Sequence, residues 1–331
     1  MSQRALITGI SGFAGGFLAE HLLDAGDEVL GTSPDGQWMD SSPGGLEDRV
    51  EIIPWDLSRH SGPDLAIRRV IEHFQPEVIY HLAALSIPSD CGLESPTDAA
   101  LSVNVVGTAE VLALADSLCD SQSVPPRFLL ASSSHVYRPV QFDSPMADET
   151  APLGPLYGYG QSKLAAERLV GNVARRGRFQ VVIARPFQHT GPRQSNRMML
   201  PEWSCQLAAG GDKSARDMPI EVHTLDAIVD LSDVRDVVRA YRLLLQSDRD
   251  AMIYNIGSGN ARRSGDLLDL LMQFGGSRRE VVELSPGAKQ DPIADISRLQ
   301  SETGWRPEIP IEQTVEDTLR YWQERLGPTQ Q

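Results

Sequence analysis

The chain has 331 residues, 41% of them hydrophobic and 23% charged, an ordinary composition for a soluble globular protein. This length predicts two domains or one large α/β unit, with enough chain to bury a sizeable core. The formal net charge of −15 at pH 7 argues against nucleic acid and anionic membranes as partners, because both would repel an acidic protein.

The cysteines and the N-terminus predict a cytoplasmic location. Cys91, Cys119 and Cys205 are an odd number without disulfide or metal-site spacing, which is typical of a reducing compartment and predicts no metal site. The first predicted strand begins within a few residues of Met1 and leaves no room for a signal peptide. We expect no membrane helix, because no apolar run approaches the ~18 residues that one requires.

Strand and helix signals alternate through the first half of the chain. Helices are predicted over 17–25, over a segment that ends before Pro76, and over 108–118. Predicted strands cover 5–7, 28–32, 50–53, 78–84, 127–133 and 180–184. Nearly continuous apolar strands separated by helices indicate a parallel sheet covered on both faces. The predicted fold class is therefore α/β, a Rossmann-type doubly wound parallel sheet with a smaller interleaved C-terminal substrate domain.

The pattern becomes less regular after about Pro186. Loop-rich segments at 190–196 and 210–219 alternate with short strands and a helix over 234–245. We predict a dinucleotide-binding domain over 1–185 plus about 225–257, and a substrate domain over 186–224 plus 258–331. The last four residues, 328–331, are predicted to be a frayed tail.

A glycine-rich turn lies between the first strand and the first helix. Gly9, Gly12 and Gly15 are spaced G-x-x-G-x-x-G, which lets the backbone turn sharply and lets a pyrophosphate approach the helix amides. Strand, turn and helix occur together, as a dinucleotide-binding motif requires. The alternative is a tight strand-to-helix turn that binds nothing.

A tyrosine and a lysine four residues apart form the candidate catalytic pair. In a helix, this spacing places Tyr159 and Lys163 on one face. A nearby ammonium favours the phenolate, so the pair could exchange a proton near neutral pH. Ser132, Ser133 and Ser134 follow the fifth predicted strand, where an open α/β sheet places its active site. Taken alone, a pair at this spacing is far more often a solvated helix face, and without the pair the serines would indicate only a polar loop.

Motifs along nearly the whole chain carry a family resemblance. They are the glycine turn, Asp56-Leu57, His81-Leu82-Ala83-Ala84, Asn104-Val105-Val106-Gly107-Thr108, Ser133 to Tyr137, Tyr159-x-x-x-Lys163, Arg185-Pro186-Phe187, Tyr254 to Gly259 and Gly304-Trp305-Arg306-Pro307. As a set, they resemble the extended short-chain dehydrogenase/reductase family that acts on nucleotide sugars. Within it, the segment from Ala184 to Ser195 is most similar to GDP-6-deoxy-D-mannose reductases, which reduce GDP-4-keto-6-deoxymannose to GDP-D-rhamnose.

The resemblance implies a role for each motif residue. Ser133 would orient the reacting sugar oxygen, Tyr159 would exchange its proton, and Lys163 would hold the nicotinamide ribose and lower the tyrosine pKa. The cofactor would contact Gly9, Ser11, Gly12, Phe13, Gly15, Thr32, Asp56, Leu57, Leu82, Ala83, Ala84, Tyr159, Lys163 and Pro186, with Asp56 and Leu57 at its adenine. The substrate would contact Ser134, His135, Gln188, Arg193 and Arg235. A homodimer would form through the helix over 108–118 and the helix that carries Tyr159.

Position 135 helps to choose the reaction. Related 4,6-dehydratases carry a glutamate two residues after the serine or threonine, and this chain has His135 there. The histidine departs from the dehydratase pattern and favours reduction or epimerisation, although it could equally only cap a loop.

Several other positions also depart from the family pattern. Val229 and Gly287 stand where arginines are expected at the substrate diphosphate, although Lys289 could supply a charge near the second. Gln188 replaces the usual asparagine and Arg138 the usual glycine. Candidate replacements for the missing cations are Arg193, Arg197 and Arg235, each of which could instead be a surface arginine.

The end of the second strand bears on the choice of cofactor. An acidic residue there would bind the ribose hydroxyls of NAD and repel a 2′-phosphate, but the expected position holds Thr32, followed by Ser33 and Pro34. The absence of an acid there favours NADP over NAD, but no arginine is evident to bind the 2′-phosphate, and NAD stays the alternative. The main hypothesis is an NAD(P)H-dependent reductase of a nucleotide-linked 4-keto-6-deoxy sugar. The alternatives are a 4-epimerase or 4,6-dehydratase of the same family, and a cofactor-binding regulatory protein without catalysis.

Overall fold

The structure is a computed structural model that describes residues 2–40, 42, 44–60, 62–209, 218–246 and 252–326. Its strands are β1 (Arg4–Thr8), β2 (Glu28–Ser33), β3 (Glu51–Pro54), β4 (Val78–His81), β5 (Arg127–Ala131), β6 (Met146–Ala147), β7 (Val181–Pro186), β8 (Gln188–Thr190), β9 (Ile220–Val222), β10 (Ala227–Asp233), β11 (Ile253–Ile256), β12 (Ala261–Arg263), β13 (Val281–Glu283), β14 (Lys289–Gln290) and β15 (Ile293–Ala294). Its helices are α1 (Phe13–Asp24), α2 (Leu65–Phe74), α3 (Asp98–Leu101), α4 (Thr108–Ser121), α5 (Gly158–Ala174), α6 (Met199–Ala208), α7 (Val234–Leu244), α8 (Ser264–Phe274), α9 (Ser297–Thr303) and α10 (Ile311–Leu326).

A seven-stranded parallel sheet organises the fold. Its strand order is β3-β2-β1-β4-β5-β7-β11, so the chain runs outward from β1 to one edge, returns to β4, and runs outward to the other edge. The direction reverses between β1 and β4, and in open α/β sheets ligands bind at this reversal, beyond the carboxyl ends of the strands. The predicted Rossmann-type doubly wound sheet is confirmed, and β11 adds a seventh strand.

Helices cover both faces of this sheet, as the nearly continuous apolar strands require. On one face, α1 and α7 contribute buried side chains such as Leu18 and Val237 to a core that contains Ile7. On the other face, α2, α4 and α5 contribute side chains such as Leu118 and Val170 to a core that contains Leu6. Successive residues of β1 thus point into different cores, which is the side-chain alternation of a strand.

The helical segment from Asp98 to Ser121 is longer than the helix predicted over 108–118. Helices α3 and α4 are joined by a π-helical stretch, Ser102–Gly107, and π-helical turns are frequent at functional sites. The combined helix is long and apolar enough to span a membrane by length and composition. The expectation that no apolar run reaches that length is therefore wrong. Val111 and Leu118 of this helix are packed in the core beneath the sheet.

The second half of the chain builds smaller sheets beside the large one. Strand β10 pairs with β12 and β14, and its last residues pair with β8. The pairs β9–β13 and β6–β15 are separate, and α6, α8 and α10 share a third core with β9 and β10. Strand β10 lies within the segment 225–257 that the sequence analysis assigned to the first domain, but it pairs in a smaller sheet. The division of the chain into two domains stays a prediction. Residues 210–217 of the predicted loop over 210–219 and the predicted tail over 328–331 lie outside the described residues.

Candidate active site

The predicted site residues collect at the carboxyl edge of the large sheet, which is the edge formed by the carboxyl ends of its parallel strands. The glycine turn follows β1, Thr32 lies in β2, Leu82 follows β4, and Ser133 follows β5. Parallel neighbouring strands place these carboxyl ends side by side. Residues separated by more than a hundred positions therefore meet at the point where the strand order reverses.

Close backbone packing shapes the glycine turn. Gly9 has a φ of 72°, and its amide donates to the Thr32 carbonyl at 3.0 Å. A Cβ at Gly9 would lie 2.6 Å from the Cα of Ala83. A Cβ at Gly15 would lie 2.3 Å from the Gly9 carbonyl oxygen, so larger residues are excluded at both positions.

The N-terminus of α1 fits a dinucleotide pyrophosphate. Gly12 caps this helix without a side-chain hydrogen bond, and the first turn contains no acidic residue. The first amides of the helix are thus not capped by a side chain, and the helix dipole adds positive potential. Phe13 begins the helix, and its ring stacks on His189 with centroids 6.0 Å apart.

The adenosine half of a dinucleotide is expected next to the carboxyl ends of β2 and β3. Thr32 and Ser33 are buried, and the Ser33 hydroxyl donates to the Asp35 carboxylate at 3.2 Å. An acidic side chain therefore does lie at the end of β2, three residues beyond the expected position. Asp56 follows β3 and accepts hydrogen bonds from Ser58, which hold the pKa of its carboxyl below the usual value. Leu57 is buried beside it.

The segments after β4 and β7 line the same edge. The Leu82 amide donates to the Thr8 carbonyl, and Ala83 lies directly against the glycine turn. Ala84 follows, and Ser11 is part of the turn itself. Pro186 ends β7 in register with Ile256. All of the predicted cofactor residues border this edge of the sheet, and their individual contacts stay predictions.

The structure brings together the three predicted catalytic side chains. Tyr159 and Lys163 lie one turn apart at the start of α5, and Ser133 follows β5. The Lys163 Nζ donates to the Ala131 carbonyl at 2.7 Å, which ties α5 to the last residue of β5. The Ser133 hydroxyl lies beside His135, whose ring meets the Tyr159 ring edge-on.

Two glycines on either side of Tyr159 allow this approach. A Cβ at Gly160 would lie 2.2 Å from the carbonyl oxygen of His135, and a Cβ at Gly158 would lie 2.2 Å from that of Cys91. The Gly-Tyr-Gly sequence therefore lets α5 begin directly against the loops after β4 and β5. The sequence pattern alone gave no reason for these two glycines.

The Tyr159 pKa shifts in the direction opposite to the expected one. Burial raises the pKa of the phenol to about 12, and the nearby Ser133 hydroxyl only partly opposes this. Burial also lowers the pKa of the Lys163 ammonium to about 8. In this structure the phenol is therefore neutral at pH 7, a form that can donate a proton.

A buried polar network fixes α5 to the sheet behind the site. Glu167 of α5 accepts two hydrogen bonds from the Arg185 guanidinium, at 2.9 and 2.7 Å, and one from the Ser132 hydroxyl at 2.6 Å. Arg185 also donates to the Tyr137 hydroxyl, which in turn donates to Asn255. The network joins β5, β7, β11 and α5, so it holds the backbone on which Ser133 and Tyr159 stand.

His135 and Gln188 are the next two predicted substrate residues, one beside Ser133 and the other in β8. The His135 Nδ1 lies 3.1 Å from the Ser133 hydroxyl oxygen, and its ring meets the Tyr159 ring edge-on, with centroids 5.6 Å apart. The Gln188 amide donates to the Asp291 carboxylate at 2.7 Å. Ser134 is buried next to His135.

The candidate replacement arginines are already paired with carboxylates. Arg193 binds Glu20 of α1 at 2.6 Å and lies over the Phe17 ring. Arg235 binds Asp233 and Asp317, and Arg197 binds Asp90. Their predicted contact with substrate stays a prediction, and none of the three is a free cation in this structure.

Sequence reasoning missed several residues that matter at this edge. They are Asp35, Glu167, Asp291 and Asn104, whose side-chain amide donates to Ser162 inside α5. Asp35 could have been found by allowing a longer loop after β2. Glu167 binds Arg185, 18 positions away, and Asp291 binds Gln188, 103 positions away, so no local pattern indicated these two contacts. Within the described residues, no group of three or more His, Cys, Asp or Glu side chains is placed to hold a metal ion.

Together, the sheet reversal, the uncapped helix and the serine, tyrosine and lysine define a dinucleotide-dependent oxidoreductase. The chain belongs to the NAD dependent epimerase/dehydratase family, whose model matches residues 5–257. The cofactor is accordingly NAD(P), which supplies or accepts a hydride at its nicotinamide when it is bound. The glycine turn and the start of α1 would hold its pyrophosphate.

Known relatives span nearly the whole chain. The GDP-6-deoxy-D-mannose reductase of Pseudomonas aeruginosa is 28% identical, over 98% of this chain and 99% of that protein. The UDP-glucuronic acid decarboxylase 1 of Xenopus tropicalis is also 28% identical, over 98% of this chain and 73% of that protein. The solved structure of RMD from Pseudomonas aeruginosa complexed with NADPH has a TM-score of 0.79 and 27% identity, and the match covers 98% of this chain and 100% of that one.

Proposed function

We propose that this protein reduces the 4-keto group of a nucleotide-linked 4-keto-6-deoxy sugar, with GDP-4-keto-6-deoxymannose as the substrate to test first. The observation that carries this proposal is that Ser133, Tyr159 and Lys163 lie together at the carboxyl end of β5. The full-length similarity to a GDP-6-deoxy-D-mannose reductase supports the substrate class.

The protonated phenol of Tyr159 can serve the reduction. Reduction needs a proton for the C4 oxygen, and a phenol with a raised pKa carries that proton at neutral pH. Ser133 would hydrogen-bond to the sugar oxygen, and Lys163 would hold the ribose beside it. The protein's contribution is to align the two reactants and to direct donors at the developing alkoxide.

Position 135 supports reduction rather than elimination. A 4,6-dehydratase needs a group that removes water across C5 and C6, and its relatives use a glutamate there. His135 instead hydrogen-bonds to Ser133, with its ring against Tyr159. A 4-epimerase remains the second candidate, because it would use the same three side chains without net oxidation.

The test is consumption of reduced cofactor. Purified protein, NADPH or NADH and GDP-4-keto-6-deoxymannose should give a fall in absorbance at 340 nm and a GDP-linked 6-deoxyhexose. Cofactor that binds but is not consumed would contradict the reductase assignment. Tightly bound oxidised cofactor in the purified protein, with turnover but no net change at 340 nm, would favour the epimerase.

We also propose a cytoplasmic homodimer that uses the helical segment Asp98–Ser121. Leu101 and Val106 are exposed apolar side chains on this segment, with exposed fractions of 39% and 41%. Sedimentation of the wild type and of Val106→Glu tests the dimer, and a wild-type monomer would contradict it.

A further inference from the structure

A cavity of about 260 Å³ lies beside β10, in the smaller part of the fold. Its wall includes Ser232 of β10, Arg262 of β12, Asp236 in the first turn of α7 and Ile311 at the start of α10. The catalytic and cofactor residues predicted from the sequence are all described by the structure, and none of them is among the lining residues. The cavity is therefore a separate feature that those assignments leave unexplained.

Two polar groups at this cavity lack a partner. Within the part of the chain that the structure describes, neither the Ser232 hydroxyl nor the Arg262 Nε has a hydrogen-bond partner, and both atoms are buried. Ser232 is 4% exposed. Buried polar groups are nearly always hydrogen-bonded, so two unpartnered donors at one cavity indicate a ligand that accepts hydrogen bonds.

The carboxylates around the cavity already have cationic partners. An Arg235 nitrogen lies 2.7 Å from the Asp233 carboxylate, and an Arg239 nitrogen lies 2.7 Å from that of Asp236. Glu308 has a side chain that is 69% exposed, and its carboxylate lies 3.3 Å from the same Arg239. These acidic groups are thus neutralised by their own partners or screened by solvent.

The Arg262 guanidinium has no such counter-charge. Among the described residues it forms no ion pair, and Val229, which lies directly opposite it in the antiparallel pair β10–β12, is apolar. Helix α10 begins at Ile311 in the cavity wall, and the N-terminus of a helix favours an anion. The acidic residue in the first turn of this helix, Glu312, is exposed. The uncompensated charge at the cavity is therefore positive.

We propose that this cavity binds a phosphoryl group, held by the Arg262 guanidinium and the Ser232 hydroxyl. A guanidinium presents its N–H donors in a planar fork that matches phosphate oxygens. The volume is below the ~300–1,000 Å³ of sites that enclose a whole small-molecule ligand, so it suits a phosphate or diphosphate rather than a complete nucleotide sugar.

The phosphoryl group has two possible sources, inorganic phosphate and the diphosphate of a nucleotide substrate. The second source rests on the proposed function. Leu231 in the cavity wall is in register with Gln188 of β8, a predicted substrate residue. Val229, opposite Arg262, is also a position where the sequence analysis expects an arginine at the substrate diphosphate.

Calorimetric titration of the full chain with inorganic phosphate and with GDP tests the site. Saturating NADP⁺ occupies the pyrophosphate site at the glycine turn, and chloride keeps the ionic strength constant. Arg262→Gln should bind at least one of the two ligands about tenfold more weakly than the wild type, because a charge-assisted hydrogen bond is lost. The control is Arg69→Gln, an exposed arginine in α2, which should keep wild-type affinities. A wild type that binds neither ligand, or an Arg262→Gln variant with wild-type affinity for both, overturns the proposal.

A second variant tests the serine without removing a charge. Ser232→Ala removes a buried hydroxyl that has no partner, so the Tm without ligand should stay equal or rise. The increase in Tm that phosphate or GDP causes should become smaller than in the wild type. A lower Tm without ligand, together with a wild-type response to both ligands, would show a structural role and overturn the place of Ser232 in the site.

Competition between the two ligands identifies the source. If GDP displaces phosphate, and Arg262→Gln weakens GDP but not guanosine, the group is the substrate diphosphate. If phosphate binds with unchanged affinity at saturating GDP, the ligand is free phosphate. These titrations need no turnover, so a protein that reduces no 4-keto sugar can still bind phosphate through Arg262. An active reductase whose phosphate and GDP affinities do not depend on Arg262 overturns the site and leaves the proposed function standing.

Discussion

Replacement of Glu167 by methionine should lower the free energy of unfolding by about 3–5 kcal/mol, the usual cost of removing one partner from a buried ion pair. The Glu167 and Arg185 side chains are 5% and 2% exposed, and their two hydrogen bonds are 2.9 and 2.7 Å long. Without the carboxylate, the guanidinium stays buried without a counter-charge, and Ser132 loses its acceptor. At roughly 2–4 °C per kcal/mol, Tm should fall by about 6–20 °C.

The assay is urea unfolding followed by far-UV circular dichroism, with Arg185→Met and the double variant Glu167→Met/Arg185→Met as controls. The double variant removes both charges, so it should lose less stability than the sum of the two single variants, by at least about 2 kcal/mol. A loss below about 1 kcal/mol in Glu167→Met, or strict additivity in the double variant, would refute the reasoning.

Three further predictions concern the cofactor site and pH. Asp35→Ser should raise kcat/KM for NADPH relative to NADH by about tenfold, since it removes a carboxylate that would repel a 2′-phosphate. An unchanged ratio of the two kcat/KM values would place Asp35 outside the cofactor site. Gly15→Val should abolish NAD(P)H binding by calorimetry, because its Cβ would lie 2.3 Å from the Gly9 carbonyl oxygen; wild-type affinity would contradict this. Burial lowers the His81 pKa in the folded protein to about 3, below the ordinary value of 6.5 that applies in the unfolded chain. Below pH 6.5 the unfolded chain therefore takes up a proton that the folded protein does not, and the free energy of unfolding falls as the pH falls from 6.5 toward 3. Between pH 7 and 4.5 the wild type should lose roughly 2–3 kcal/mol more than His81→Gln in urea unfolding, and equal losses would disprove the linkage.

The fold was largely predictable because its strongest signals are local. The strands over 5–7, 28–32 and 127–133 are short apolar runs separated by helices, and this alternation alone indicates the parallel sheet. The start of α1 was placed four residues late, because its glycines weaken the helical pattern. The segment from Asp98 to Gly107 was missed as helix, since its polar residues and π-helical stretch break the 3.6-residue period.

The candidate site was predictable where one motif contains both partners. Tyr159 and Lys163 lie on the same helix, so their spacing was enough to pair them. The arginines show the opposite case, because Arg193 binds a carboxylate 173 positions away and Arg235 binds one 82 positions away. Only tertiary structure shows that such cations are already neutralised. The direction of the Tyr159 pKa shift also depends on burial, which the sequence does not specify.

Transfer of deuterium from NAD(P)D, labelled at the nicotinamide C4, to the sugar measures the central claim most directly. With GDP-4-keto-6-deoxymannose, the wild type should place deuterium at C4 of the product. Tyr159→Phe should still bind the labelled cofactor but transfer deuterium at least about 10²-fold more slowly. Equal rates of transfer in both proteins, or a wild type that binds the labelled cofactor and transfers none, would contradict the account.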